Sequence, residues 1–462
     1  MLPSPVRSAL PLLAALFVSG FLTGCAVLAV PDAPVPPEPE ALKWEDAFLR
    51  EHLRFFNGTE SAGRGTASAG FARVAAYVGA RMRQFGLQPG LHDDFRLIYQ
   101  TPVNVPVTAD LVALGADTLR FQLGVDFVPD ARSDSGSVTT DRVDVLRDLR
   151  PLANLEAGSP IAVIPSDSLA PTAYAAIRGA GYRGLLLVGP LRPNAAPRPV
   201  RGLLIEQISP ETAKALLINW PDSDGNAHAV RLRDRITMRV IADFHEAAGA
   251  VNVLGFLGGK HPVHREELVI VCADLDAVGG YGGAQATDPR SLGADAAALL
   301  ELVRVYGILS RLQTAPERTV LFAVFSGSHL GNAGLRAYLQ HPLWEVDKTV
   351  SVVYVGLPAH REKDVRNLLA PFNIPLFAIS PSGDSPGPAT ALSTDAGRGV
   401  DGGGNETTSD RPRTIASLAD AFNAAVIRAR RLAASAHEVI HPLTTGFGES
   451  FLIPITESET AQ

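Results

Sequence analysis

From Ala247 onward the chain alternates short, wholly apolar runs with amphipathic stretches, and this alternation restricts its fold more than any other feature. Leu268–Cys272, Val320–Phe325, Val350–Val355 and Leu376–Ile379 read as strands, and Ala296–Leu309, Asn332–Leu339 and Ile415–Leu432 as helices. A strand that is apolar at every position must be buried on both faces, so helices have to cover the sheet from both sides. The expected class is α/β: a three-layer α/β/α sandwich around a mixed, mostly parallel sheet.

Ahead of that region the texture differs. Trp44–Phe56 and Ala72–Phe85 read as helices flanking a loop, with Gly86 as a C-cap. From Pro106 to His245 short alternating runs such as Arg120-Phe121-Gln122-Leu123 indicate a β-rich insert. At its centre, strand Pro160–Ile164, helix Ala173–Gly179 and strand Gly184–Val188 form a βαβ unit.

The beginning of the chain reads as an address. Arg7 precedes an apolar stretch, Ala9–Leu22, that is too short for a bilayer-spanning helix and suits a signal-peptide core. Leu22-Thr23-Gly24-Cys25 resembles the bacterial lipoprotein box, which implies a lipid on the Cys25 thiol. Ala26 rather than Asp follows, implying a destination at the outer membrane, facing the periplasm. The Pro-rich run Pro31–Pro39 reads as an extended tether. The other cysteine, Cys272, lies in an apolar run and reads as a core thiol. The organisation is thus a signal peptide (1–25), a tether (26–42), a main domain in two parts (43–105 and 247–456) and an insert (106–246). With 41 basic against 48 acidic side chains the net charge is −7, which gives nucleic acid no basic footprint to bind.

Several segments in order carry a resemblance. Leu53-Arg54-Phe55-Phe56, Glu60–Thr66, Phe85–Pro89, Asn252-Val253-Leu254-Gly255, Leu268–Val278, Arg318–Phe322, Leu335–Tyr338 and Asn405–Asp410 together resemble the secreted di-zinc aminopeptidase family. That family includes bacterial leucyl aminopeptidases, glutamate carboxypeptidases and the transferrin receptor. Ala180–Leu185 lies at the centre of an insert that looks like the protease-associated domain many members carry. The resemblance implies a zinc-exopeptidase fold. It would also imply two zinc ions, a bridging carboxylate and a glutamate acting as general base.

Carried over position by position, the resemblance supplies none of those groups. Asp274 stands where the family has a zinc-binding histidine, while Asp276 keeps the aspartate that orients that histidine from behind. The bridging aspartate falls on Ala296, with Asp295 one place early. The general base falls on Ser328 and the next ligand on His329. A serine hydroxyl is not ionised near neutral pH, and losing a general base costs about 10²–10⁴ in rate. The last two ligands fall on Val353 and Glu406.

Two readings follow. In the first, the protein has lost zinc-dependent hydrolysis, needs no cofactor, and uses the old cleft or the insert to bind a peptide or protein partner. In the second, Asp274, Asp295, His329 and Glu406 form a rebuilt metal site and the chain remains a zinc-dependent peptidase. A nucleophilic Ser328 is disfavoured, because the Gly-x-Ser-x-Gly elbow is absent and His329 is its immediate neighbour. His261 and His264 read as a surface loop. Glu301 and Arg304, three apart on a helix, read as a solvent-facing pair.

Overall fold

The computed structural model describes residues 44–91, 93–146, 157–166, 169, 172–216, 228–281, 284–285, 292–311, 315–380 and 410–445. In chain order the principal elements begin with helices α1 (Asp46–Phe56) and α2 (Ala69–Gln84) and strand β1 (Arg96–Leu114). Next come β2 (Gly136–Val145), β3 (Ile161–Pro165), α3 (Ala173–Gly179), β4 (Gly184–Val188) and β5 (Leu204–Ile208). The long β6 (His228–Leu257) leads into β7 (Leu268–Asp274), α4 (Ala294–Leu309), β8 (Thr319–Phe325) and α5 (Ala333–Gln340). Then follow β9 (Thr349–Val355), α6 (Ala359–Leu369), β10 (Leu376–Ile379) and α7 (Asp410–Thr445).

The main sheet runs β10-β9-β7-β8-β6. β7 to β10 are parallel, and β6 is antiparallel to β8. Helices α1, α2, α4 and α7 pack on one face through Leu53, Val74, Leu299 and Ala429. Helices α5 and α6 cover the other through Leu335, Tyr338, Val365 and Leu369. This is the expected three-layer α/β/α sandwich. Cys272 lies inside β7 and is fully buried, and burial pushes its thiol well above the ordinary range.

β6 is 30 residues long because it belongs to two lobes at once. Its C-terminal end pairs with β8, and its N-terminal half pairs with β2, from which β3, β4 and β5 continue in parallel. β1 pairs with β6 along most of its length, from Arg96 opposite Val253 to Leu114 opposite Arg235. The sequence boundaries at 106 and 246 therefore fall inside continuous strands. The alternation of buried Leu232, Ile236, Met238 and Val240 with outward Arg231, Arg233, Arg235 and Arg239, broken only by Asp234 on the inward side, fixes which face of β6 meets the second core. The β1–β6 ladder slips between Thr101 and Val103 and between Pro106 and Thr108. Pro102 and Pro106 lack the N–H a regular ladder requires, which accounts for both irregularities.

One expectation needs correction. Glu301 and Arg304 do not face solvent: Glu301 is fully buried and Arg304 nearly so. Helix α4 is enclosed almost all round, so its polar pair has to satisfy itself internally. Arg304 donates to both Glu301 oxygens at 2.7 and 2.8 Å, and the Glu45 N–H donates to Glu301 Oε1 at 2.8 Å. The pair therefore also fastens the start of α1.

Glu206 on β5 is a different case. It points into the apolar cluster of the inserted lobe beside Leu204 and Ile208, fully buried, and neither carboxylate oxygen has a partner among the described residues. Burial drives its pKa well above the ordinary value, and Asp110 pushes the same way. The folded state then holds a proton that the unfolded chain has released, so stability falls as pH rises above the unfolded value of 4.5. Glu206→Gln should melt higher than the wild type at pH 8, with the gap closing toward pH 4. Calorimetric scans across that range provide the check.

Candidate functional site

The carboxyl ends of β7, β8 and β9 open side by side at one edge of the sheet, the usual place for a site in this architecture. The register sets their levels. Asp274 lies beside Phe325 of β8, and Cys272 lies beside Tyr354 of β9. Two residues further along, the level of Asp274 on β9 falls just past the strand end, at Gly356.

Asp274 is fully engaged. The Tyr354 hydroxyl donates to Oδ1 at 2.6 Å and Arg361 Nη1 donates to Oδ2 at 2.5 Å. Arg361 comes from the first turn of α6, and its Nη2 also reaches the Asn332 side chain and, at 3.5 Å, the Tyr354 oxygen. Burial opposes the Arg361 charge, but Asp274 and Tyr354 beside it outweigh that and raise its pKa above the usual value. Burial likewise drives the Tyr354 phenol well up, so it stays a donor.

Asp276 lies deeper. Its Oδ2 accepts from the Thr66 hydroxyl at 2.9 Å and from the Ser328 N–H at 3.0 Å, while its buried Oδ1 has no partner among the described residues. Burial raises its pKa; His329 pulls it down and Asp274 pushes it up. Thr66 can approach because the neighbouring backbones touch. A Cβ on Gly65 would sit 2.9 Å from the Gly279 Cα, closer than real Cβ atoms come. From β1, the Tyr99 hydroxyl lies 2.9 Å from Ser326 Oγ and steadies the turn after β8.

Asp295 occupies the first turn of α4, where the helix dipole favours a carboxylate. Arg428 of α7 faces it, with Nη2 and Nε at 3.2 and 3.3 Å from Oδ1. Its side chain rests on Gly356. A Cβ there would lie 2.6 Å from the Asp295 Cβ and closer still to its carboxylate.

The remaining candidates are scattered. Ser328 is buried and acts through its backbone N–H; His329 next to it is exposed. Ala296 and Val353 are wholly buried core residues, Val353 inside β9 opposite Val271 rather than at the strand end. Glu406 and Cys25 lie outside the described residues. His261 and His264 sit at the opposite edge, before β7, where His264 Nδ1 lies 2.7 Å from Glu267 Oε1. Sequence reasoning passed over Arg361, Tyr354, Asn332 and Arg428. Only the pairing of β7 with β9 and the return of α6 and α7 bring them to the carboxylates.

No family profile and no curated protein matches the chain. Solved structures do. A zinc aminopeptidase from Bacillus subtilis superposes with a TM-score of 0.55 at 14% identity, over 88% of this chain and 97% of that one. An aminopeptidase from Aneurinibacillus sp. strain AM-1 gives 0.49 at 13% identity, over 75% and 87%. The fold is that of a zinc aminopeptidase.

The aminopeptidase fold raises the question of whether these residues suit a pair of zinc ions, and those described do not. Among them, no three His, Cys, Asp or Glu side chains gather closely enough to hold a metal. An ion on Asp274 would meet the Arg361 guanidinium, and one on Asp295 would meet Arg428. Val353 and Ala296 offer no lone pair at two of the five ligand positions.

The close seat of Asp295 on Gly356 is testable. Gly356 has φ +78°, so a side chain adds backbone strain to the collision. Gly356→Ala should cost about 2–4 kcal/mol, summing strain and overpacking, as read from urea unfolding.

Proposed function

We propose that this chain is a non-hydrolytic protein of aminopeptidase fold, held at the bacterial cell envelope by a lipid on Cys25, that binds a peptide or protein partner. In this reading the inserted lobe is a protease-associated domain, consistent with its β3-α3-β4 centre, and the chain faces the periplasm from the outer membrane. The observation that carries the proposal is the occupation of Asp274. Both its oxygens are bound within the chain, by Tyr354 and Arg361, so a metal or a nucleophilic water would have to compete with a phenol and a guanidinium already in place.

A place for a ligand remains. Between the main domain and the inserted lobe lies a small cleft, walled by Thr66, Val103, Pro129, Pro193 and Leu330 among others. Asn104 also lines it. Its Nδ2 donates to the carbonyls of Ala131 and Ser133 at 2.6 and 2.9 Å, while its Oδ1 has no partner among the described residues. The cleft's mostly apolar walls suit an uncharged group of a ligand better than a charged one.

The protein, purified from membranes, should release no nitroaniline from aminoacyl-nitroanilides and should carry no stoichiometric zinc by elemental analysis. Turnover accompanied by about two zinc ions per chain would instead establish the altered-ligand peptidase, and His329→Ala should then abolish it. Cys25→Ser should move the protein from the membrane to the soluble fraction.

A further inference from the structure

We infer that Arg361 and Arg428 are resident cations: each guanidinium serves as the fixed positive charge that closes the sheet's carboxyl edge, in place of a bound metal ion. The inference goes beyond loss of hydrolysis, because it assigns these two residues a structural task that an activity assay does not report.

Two matched arrangements support it. Arg361 gathers four elements: Asp274 at the end of β7, Tyr354 on β9, Asn332 in the turn before α5, and its own helix α6. Arg428 ties α7 to Asp295 at the start of α4, directly above Gly356 at the end of β9. All four charged side chains are largely shielded, between 14% and 21% exposed. Asp274 and Asp295 each have their own guanidinium, so neither needs a divalent ion to balance its charge.

Geometry explains why arginine serves. Asp274 and Asn332 are met by different nitrogens of one planar group, a fork that the single ammonium of lysine cannot reproduce. The same geometry opposes metal uptake. An entering cation would compete for Asp274 Oδ2 while leaving a shielded guanidinium beside a like charge.

The test is thermal melting of the full-length protein, with excess EDTA and with added zinc chloride. Wild type should melt at the same temperature in both. Arg361→Met should melt about 5–10 °C lower, the size expected when one partner of a shielded pair is removed. Arg361→Lys should recover little of that loss. Asp274→Leu combined with Arg361→Met should recover at least half, because no charge is left unpaired. Arg366→Met, on the exposed side of the same helix, is the control. Should Arg361→Met not fold, Arg428→Met and the wild-type chelator comparison still decide. A wild-type melting point that drops in EDTA and returns with zinc would overturn the inference. So would losses in Arg361→Met or Arg428→Met no larger than that of the control. Hydrolysis by a chelator-indifferent wild type would sink the proposed function and leave this inference standing.

Discussion

The pairing of β1 with β6 is the constraint on which the rest depends. One antiparallel ladder runs through both lobes, so the inserted lobe is not tethered by loops but grown out of the main sheet. Its cost in chain order is considerable, since most of the inserted lobe must be placed between the two strands before they can meet. Its return is rigidity. The cleft beside Thr66 and Asn104 has one wall from each lobe, and a shared ladder holds those walls in register. The two prolines in β1 place the irregularities between the lobes, where a change of twist disturbs neither core.

Charge inside the main domain is handled by one device used repeatedly. Glu301 with Arg304, Asp274 with Arg361 and Asp295 with Arg428 each pair a carboxylate with a guanidinium in a shielded position. Removing either partner from such a pair is far costlier than forming it is favourable, because the survivor is left desolvated and uncompensated. The pairs therefore contribute less to net stability than to fixing which elements meet. Glu301 binds the start of α1 to α4, Asp274 binds α6 to the sheet, and Asp295 binds α7 to α4. Glu206 is different, a shielded carboxyl with no partner among the described residues, and its raised pKa makes the stability of the inserted lobe depend on pH.

Much of the fold was legible in the sequence. Wholly apolar runs such as Leu268–Cys272 can only be buried strands, and the spans Ala173–Gly179, Gly184–Val188 and Leu376–Ile379 agree residue for residue with the structure. Lengths were harder. α7 begins five residues before Ile415 and runs to Thr445, since packing against α1 and α4 extends a helix past its clear periodic core. Glu301 and Arg304 misled because i,i+3 spacing reports that two side chains are neighbours, not which neighbour covers them. Val353 was placed at a ligand position by its motif, yet the pairing of β9 with β7 puts Gly356 at the level of Asp274.

The sequence by itself determined which chemical groups are available at the strand ends: two carboxylates two residues apart at the end of one strand, a serine and histidine after another, a valine and an alanine where metal ligands would stand. It also determined the layered α/β class, because periodicity is a property of neighbours along the chain. Only the tertiary structure decided what those groups can do. Arg361 lies 87 residues from Asp274 and Arg428 133 residues from Asp295, and no local pattern couples them. Whether a carboxylate is a ligand, a base or half of an ion pair depends on what the fold brings within three ångströms of it, and here it brought arginine.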